Sequence, residues 1–123
     1  MKPDIKNRKD IEKLINAFYE KVKTDQVIGY LFTDVAKLNW EKHLPIMYDF
    51  WENILFYTGN YTGNPMIKHK FLHEKSPLST AHFQHWNKLF TENVDDLFEG
   101  DKAETIKQKA LSISTILQIN IFK

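Results

Sequence analysis

The sequence predicts an all-α fold, and three observations carry that prediction. Apolar residues recur at three- and four-residue spacing through four long segments, the pattern of amphipathic helices. Glycine and proline number four each in 123 residues, and most of them stand between those segments or at their ends. No segment reads as a convincing strand, and no repeat or low-complexity tract breaks the pattern.

The elements follow in chain order. Ile11, Leu14, Ile15, Phe18, Tyr19 and Val22 form the first helical stripe, with Asn7 and Asp10 as cap and first-turn acid, so Tyr19 points inward. Asp25 to Val35 reads as a turn with one short helical piece carrying Tyr30, Leu31 and Phe32. Trp40, His43, Leu44, Met47, Trp51, Ile54 and Leu55 form a second stripe that ends at Gly59 and Asn60. Pro45 removes a backbone donor there, which predicts a helix that starts near His43 or bends at it, with an irregular entry.

After the polar stretch from Thr58 to Asn64, Pro65 suits the first position of a short helix capped by Asn64 and closed by Pro77. His69 falls about one turn into it. Ser79 or Thr80 caps a third long helix running to about Phe98, with Phe83, Trp86, Phe90, Val94 and Leu97 as its stripe and Leu78 placed to staple onto Phe83. Gly100 ends it. Asp101 and Glu104 then form an acidic capping signature for a last helix striped by Ala103, Ile106, Ala110, Ile113, Leu117 and Ile121.

Composition narrows the function classes. The length suits a single domain over 1–123, able to bury roughly two thirds of its unfolded surface. Absence of cysteine excludes disulfides, thiolate metal sites, a catalytic thiol and covalent haem attachment. The basic and acidic residues nearly cancel, at 17 Lys+Arg against 16 Asp+Glu, and they mix along the helices, which argues against nucleic acid as a partner. No signal-peptide core and no unbroken run of about 18 apolar residues are present, so neither membrane insertion nor export is expected, and the plain reading is cytoplasmic. Aromatic residues make up 14%, more than helix packing alone requires, as if something flat were packed among them.

His69 is the natural ligand candidate. Neutral histidine is the commonest protein ligand for metals, and a cofactor as large and flat as haem needs aromatic and aliphatic walls with few polar groups. Tyr19, His43 and Trp86 add one inward polar group from each of three other helices. Phe50, Trp51 and Phe83 read as core or cofactor wall, while His73, His82 and His85 are assigned to turns or a first helical turn. Other metal chemistries fit less well. His69 with His73, or His82 with His85, has a spacing that suits zinc but lacks a completing acid or cysteine. A di-iron site needs carboxylates at fixed helical steps, and Met47 stands four residues after His43, where such an acid is wanted.

Several spaced blocks carry a resemblance. The run from Trp40 to Trp51, the stretch from Tyr57 to Met66, His69, Pro77 with Leu78, and the segment from His82 to Trp86 resemble the group III truncated haemoglobins of bacteria. The likeness extends from Phe18 and Tyr19 to the last helix, and its order makes it far more specific than any single short motif. It implies a truncated globin fold, a two-over-two helical sandwich around a b-type haem, with His69 as proximal ligand and a pentacoordinate-type iron open to a diatomic ligand. Tyr19, His43 and Trp86 match the family's distal positions, and Phe32 matches the phenylalanine at the haem edge. The paired glycines of other truncated haemoglobin groups are absent, as the group III pattern requires.

Oxygen and other diatomics are the implied ligands. Lys68, Lys70 and Lys75 are candidates to pair with haem propionates. Tight retention by Tyr19 and Trp86 points toward chemistry on oxygen, peroxide or nitric oxide, with peroxidase-like or nitric-oxide-removing activity and a reductase as electron donor, rather than bulk transport. The alternatives are a non-catalytic gas sensor or scavenger and, in a third class, a helical interaction protein without cofactor.

Overall fold

The computed structural model describes residues 1–122. It contains α1 (Arg8–Lys23), α2 (Trp40–Phe56), α3 (Pro65–Lys75), α4 (Thr80–Leu97) and α5 (Asp101–Ile121), with a wide π-turn over Leu31–Val35 between α1 and α2. Among the described residues there is no strand. α1 packs on α2, α4 packs on α5, and the first pair crosses the second through α1 and α4, while α3 leans on α5 and the π-turn. The result is two layers of two long helices with one short helix at the side. Phe18 and Phe90 lie at the crossing, fully buried and edge-to-face at 5.2 Å, each adding roughly 1.5–3 kcal/mol of burial.

Most of the expected caps form. The Asn7 side chain accepts from the Asp10 N–H, Asn64 from the Ile67 N–H and Ser79 from the His82 N–H, each at 3.2 Å, which satisfies donors that a helix leaves open. The Ser79 cap is reciprocal, since His82 Nδ1 accepts from the Ser79 N–H.

Three expectations need correction. α2 begins at Trp40, upstream of His43, and Pro45 lies inside it; proline removes only one backbone bond, and the apolar face outweighs that loss. The irregularity sits before the helix instead, where the Ala36 N–H donates five residues back to Leu31 and Lys37 adopts a left-handed φ of 50°. At its other end α2 stops at Phe56 rather than at Gly59, because Tyr57 takes the left-handed position and the Asn53 side chain accepts from the Gly59 N–H at 2.7 Å.

The third correction concerns α5. Its N-cap residue is Gly100, which has no side chain to offer, and Asp101 is already helical. The capping group comes from the far end of the chain: Asp4 accepts from the Lys102 and Ala103 N–H groups, both at 2.9 Å. Pro3 accepts from the Glu99 N–H, and Ile5 is buried in the core. Gly100 is required there, because a Cβ would meet the Asp4 carboxyl carbon at 2.6 Å and its φ is 136°.

Burial pushes the Asp4 carboxyl up, but the three backbone N–H groups of Lys102, Ala103 and Ile5, with the Lys102 charge, outweigh it and hold the pKa below the usual 3.8. A depressed folded-state pKa gives stability that is complete above the unfolded value and lost as pH falls through the folded one. Asp4→Ala is therefore expected to lower stability by about 1–2 kcal/mol at neutral pH, read by urea unfolding. The gap from the parent chain should close as the pH falls below 3.8. An undiminished gap in acid would show that the carboxylate is not the stabilising species.

Candidate functional site

A cavity of about 450 Å³ opens where α1, α2, α3, α4, α5 and the π-turn converge. Its walls are mainly apolar side chains, and its size is that of a typical small-molecule or cofactor pocket. Every residue singled out from the sequence as ligand, cofactor wall or distal group lines it: Tyr19 from α1, Phe32 from the π-turn, His43, Phe50 and Trp51 from α2, His69 from α3, and Phe83 and Trp86 from α4.

His69 is held by its own helix. Its Nδ1 lies 2.7 Å from the Pro65 carbonyl oxygen, one turn earlier. A carbonyl oxygen only accepts, so Nδ1 carries the proton and Nε2 is left with a free lone pair. Burial pushes the imidazole pKa down; the Pro65 hydrogen bond works against this, the Lys68 charge adds to it, and the net shift is below 6.5. At neutral pH the ring is therefore uncharged, the form that binds metals. No residue type marks the acceptor on Nδ1 in advance, because a backbone carbonyl has no residue identity to read.

The opposing polar groups are set in aromatic packing. Tyr19 meets His43 edge-on at 5.6 Å, Phe32 at 5.9 Å and Trp40 at 5.3 Å. Burial alone drives its phenol pKa upward, so the hydroxyl keeps its proton and can donate. The Trp86 plane is fixed by stacking on Phe90 at 5.0 Å and on Trp51 at 6.4 Å, with Phe18 edge-on at 5.3 Å.

His43 is turned inward. Its Nε2 is buried with no hydrogen-bond partner among the described residues, and burial, with the charge of Lys68, pushes its pKa down. A buried polar atom without a partner costs roughly 1–3 kcal/mol, a cost that a polar guest bonded to it would relieve.

A second feature points the same way. No side chain of α3 is buried, and its apolar Ile67 and Phe71 are 50% and 60% exposed. Phe71, Leu72 and His69 nonetheless line the cavity. The helix is thus held by its caps and by the partly buried Met66 and Leu72, and is turned toward a space that the polypeptide does not fill.

The other three histidines have structural partners. His73 Nδ1 accepts from the Leu78 N–H at 2.8 Å, His82 closes the α4 cap and sits 3.3 Å from the Tyr30 hydroxyl, and His85 pairs with Asp25 at 2.8 Å. The zinc and di-iron alternatives find no support, since no three His, Cys, Asp or Glu side chains gather among the described residues. Lys68, Lys70 and Lys75 are all exposed, and of the three Lys68 also lines the cavity.

Sequence reasoning missed Tyr61 and Ser114 as lining residues. Ser114 falls within the α5 periodicity between Ala110 and Leu117, which was its available signal; Tyr61 had only the oddity of an aromatic ring in a polar, glycine-bearing stretch. No helix of the described residues is long and apolar enough to cross a membrane.

Comparison with known proteins agrees with this architecture. The family model described as bacterial-like globin matches residues 4–118. "Group 3 truncated hemoglobin ctb" of Campylobacter jejuni is 31% identical, over 100% of this chain and 97% of that protein. The crystal structure of a group III truncated hemoglobin from Campylobacter jejuni superimposes with a TM-score of 0.86 at 30% identity, covering 100% of this chain and 97% of that one. With the pair-over-pair helices, the polar groups gathered on one apolar cavity and a match along almost the whole length, the chain belongs to the bacterial-like globins, as a group III truncated haemoglobin.

Proposed function

We propose that this globin binds one non-covalent iron protoporphyrin IX, haem b, through Nε2 of His69, and holds oxygen or another diatomic ligand among Tyr19, His43 and Trp86. The observation that carries the reading is the pairing on one apolar cavity of a neutral imidazole with its tautomer fixed and a second imidazole whose buried Nε2 has no partner. The donor set suits the group: histidine nitrogen is a usual ligand for haem iron, and Phe32, Phe50, Trp51 and Phe83 supply walls for a flat macrocycle. When bound, an iron porphyrin provides a coordination position for a diatomic ligand and redox chemistry on it.

The chain's own residues do the rest. Tyr19, kept protonated by burial, donates from its hydroxyl, and Trp86 can only donate from its indole N–H. Neutral His43 offers Nε2 to the same guest. These groups stabilise partial negative charge on a bound ligand, which favours oxygen, peroxide or nitric oxide chemistry over carriage. Lys68 lines the cavity, which supports it as the cation that would pair with a propionate of the cofactor. A cytoplasmic setting and a reductase that supplies electrons complete the proposal; the near-neutral, mixed surface offers no stripe for nucleic acid.

Titrating purified apo-protein with haemin tests it. A Soret band that saturates at one equivalent is expected, and a chain that stays colourless would overturn the reading in favour of a cofactor-free helical protein. Peroxide turnover no faster than that of free haemin would leave haem binding intact but point to a sensor or scavenger.

A further inference from the structure

All the charges of α5 lie in its first nine residues, as Asp101, Lys102, Glu104, Lys107 and Lys109. From Ala110 to Phe122 no charged residue follows. Ala103, Ile106, Ala110, Ser114 and Leu117 form the buried side of the helix. At about 100° per residue, Leu111, Ile116, Ile119 and Phe122 fall on the opposite side, with Ser112 and Thr115 between them. These four large side chains are 41% to 61% exposed. The outer face of a surface helix is ordinarily polar. The first half of α5 obeys that rule and the second half breaks it, and a contiguous apolar patch of this kind marks an interaction site.

We propose that the outer face of α5 from Leu111 to Phe122 pairs with the same face of a second copy of this chain, as a weak two-fold dimer. Three features select a second copy. The face carries no charge, so two copies meet without like-charge repulsion, whereas a charged partner or an anionic membrane would find nothing to pair with.

The pattern is also complementary to itself. In an antiparallel pairing about a two-fold axis level with Leu117, residues on the same edge of the face meet at mirrored heights. Leu111 then stands opposite Phe122 of the second copy, and Ile116 opposite Ile119, so every large apolar side chain gains an apolar partner. Area is the third feature. From Gln108 to Phe122 the helix is about 22 Å long and about 10–12 Å across, so its outer half presents roughly 400–500 Å². Two such faces bury on the order of 800–1,000 Å², the scale of a weak, reversible complex rather than an obligate dimer. Ala110, Ser114 and Leu117, on the inner side of the same turns, line the cavity. The pairing therefore adds no residue to either cavity and does not rest on the haem reading.

Sedimentation velocity tests it on the purified chain, with and without haemin, from about 1 to 500 µM. The average mass is expected to rise from one chain toward two. Ile119→Lys should weaken association at least tenfold, because pairing would bury an ammonium without a partner, and Ile116→Glu should do the same with a carboxylate. Mixed together, these two variants should associate again, since the new lysine and glutamate stand opposite each other across the axis. Thr91→Lys, at an exposed position of α4, should associate as the parent does.

A parent chain that stays monomeric throughout, an Ile119→Lys chain that dimerises like the parent, or no recovery on mixing would overturn the proposal. So would a monomeric chain that floats with vesicles of neutral phosphatidylcholine, which would make the face one for lipid. The parent dilution series needs no variant, and helical circular dichroism, expected unchanged, shows that each variant is folded.

Discussion

His69→Gly is expected to abolish one-equivalent haemin binding, and free imidazole to restore the Soret band. The side chain contributes the metal-facing nitrogen, and its Nδ1 bond to the Pro65 carbonyl is made within α3 itself. Loss of an outer-shell partner alone typically lowers metal affinity about 10–100-fold, and removal of the ligand should exceed that. The variant should still fold, because His69 is not among the fully buried side chains and α3 keeps its Asn64 cap, the His73 bond to Leu78 and the packing of Met66 and Leu72 on the core. Imidazole diffusing into the vacated space can replace the ring but not its tether, so restored material should exchange the small molecule freely. His73→Gly, one turn away on the same helix, should keep one-equivalent binding. If His69→Gly bound haemin as the parent does, the assignment of the proximal ligand would fail.

Tyr19→Phe and Trp86→Phe should each raise the oxygen dissociation rate of the ferrous protein, measured by stopped-flow displacement with carbon monoxide. A buried hydrogen bond to a partly charged ligand is worth roughly 1–3 kcal/mol, which corresponds to about a five- to over a hundredfold change in rate. Tyr19→Phe should achieve this without loss of apo-protein stability, because the hydroxyl makes no hydrogen bond among the described residues and the ring that packs on Phe32, Trp40 and His43 is kept. Trp86→Phe also removes part of a stack with Phe90 and Trp51 and should lower the melting temperature. Because both donors address one guest, the double variant should fall short of the product of the single effects, or exceed it if one donor had compensated for the other. Unchanged dissociation in both single variants would remove the basis for calling these residues donors.

Much of this molecule is written locally. Helical periodicity placed Tyr19, His43 and Trp86 on apolar faces, His69 was reached through its place one turn after Pro65 and the spaced blocks around it, and the Asn7, Asn64 and Ser79 caps lie next to the helices they start. Even Pro65 reads correctly as a first-turn residue. Each of these depends on interactions within a few positions along the chain, which a one-dimensional pattern can carry. The α2 boundaries were less legible, since burial of its apolar face carries the helix through Pro45 and the Asn53 side chain fixes the turn beyond it.

What the sequence by itself determined was the helix count, the stripe each of the four long helices turns to the core and the residue types that share the cavity. Tertiary structure alone decided that Asp4 caps α5 from the other end of the chain, that the His43 nitrogen ends without a partner, and that Tyr61 packs on Phe50 at the cavity wall. The physical reason is range: helix propensity and amphipathic spacing act over one or two turns, whereas a cap, an orphaned polar atom or a ring stack between distant segments exists only once the chain has folded and brought them together.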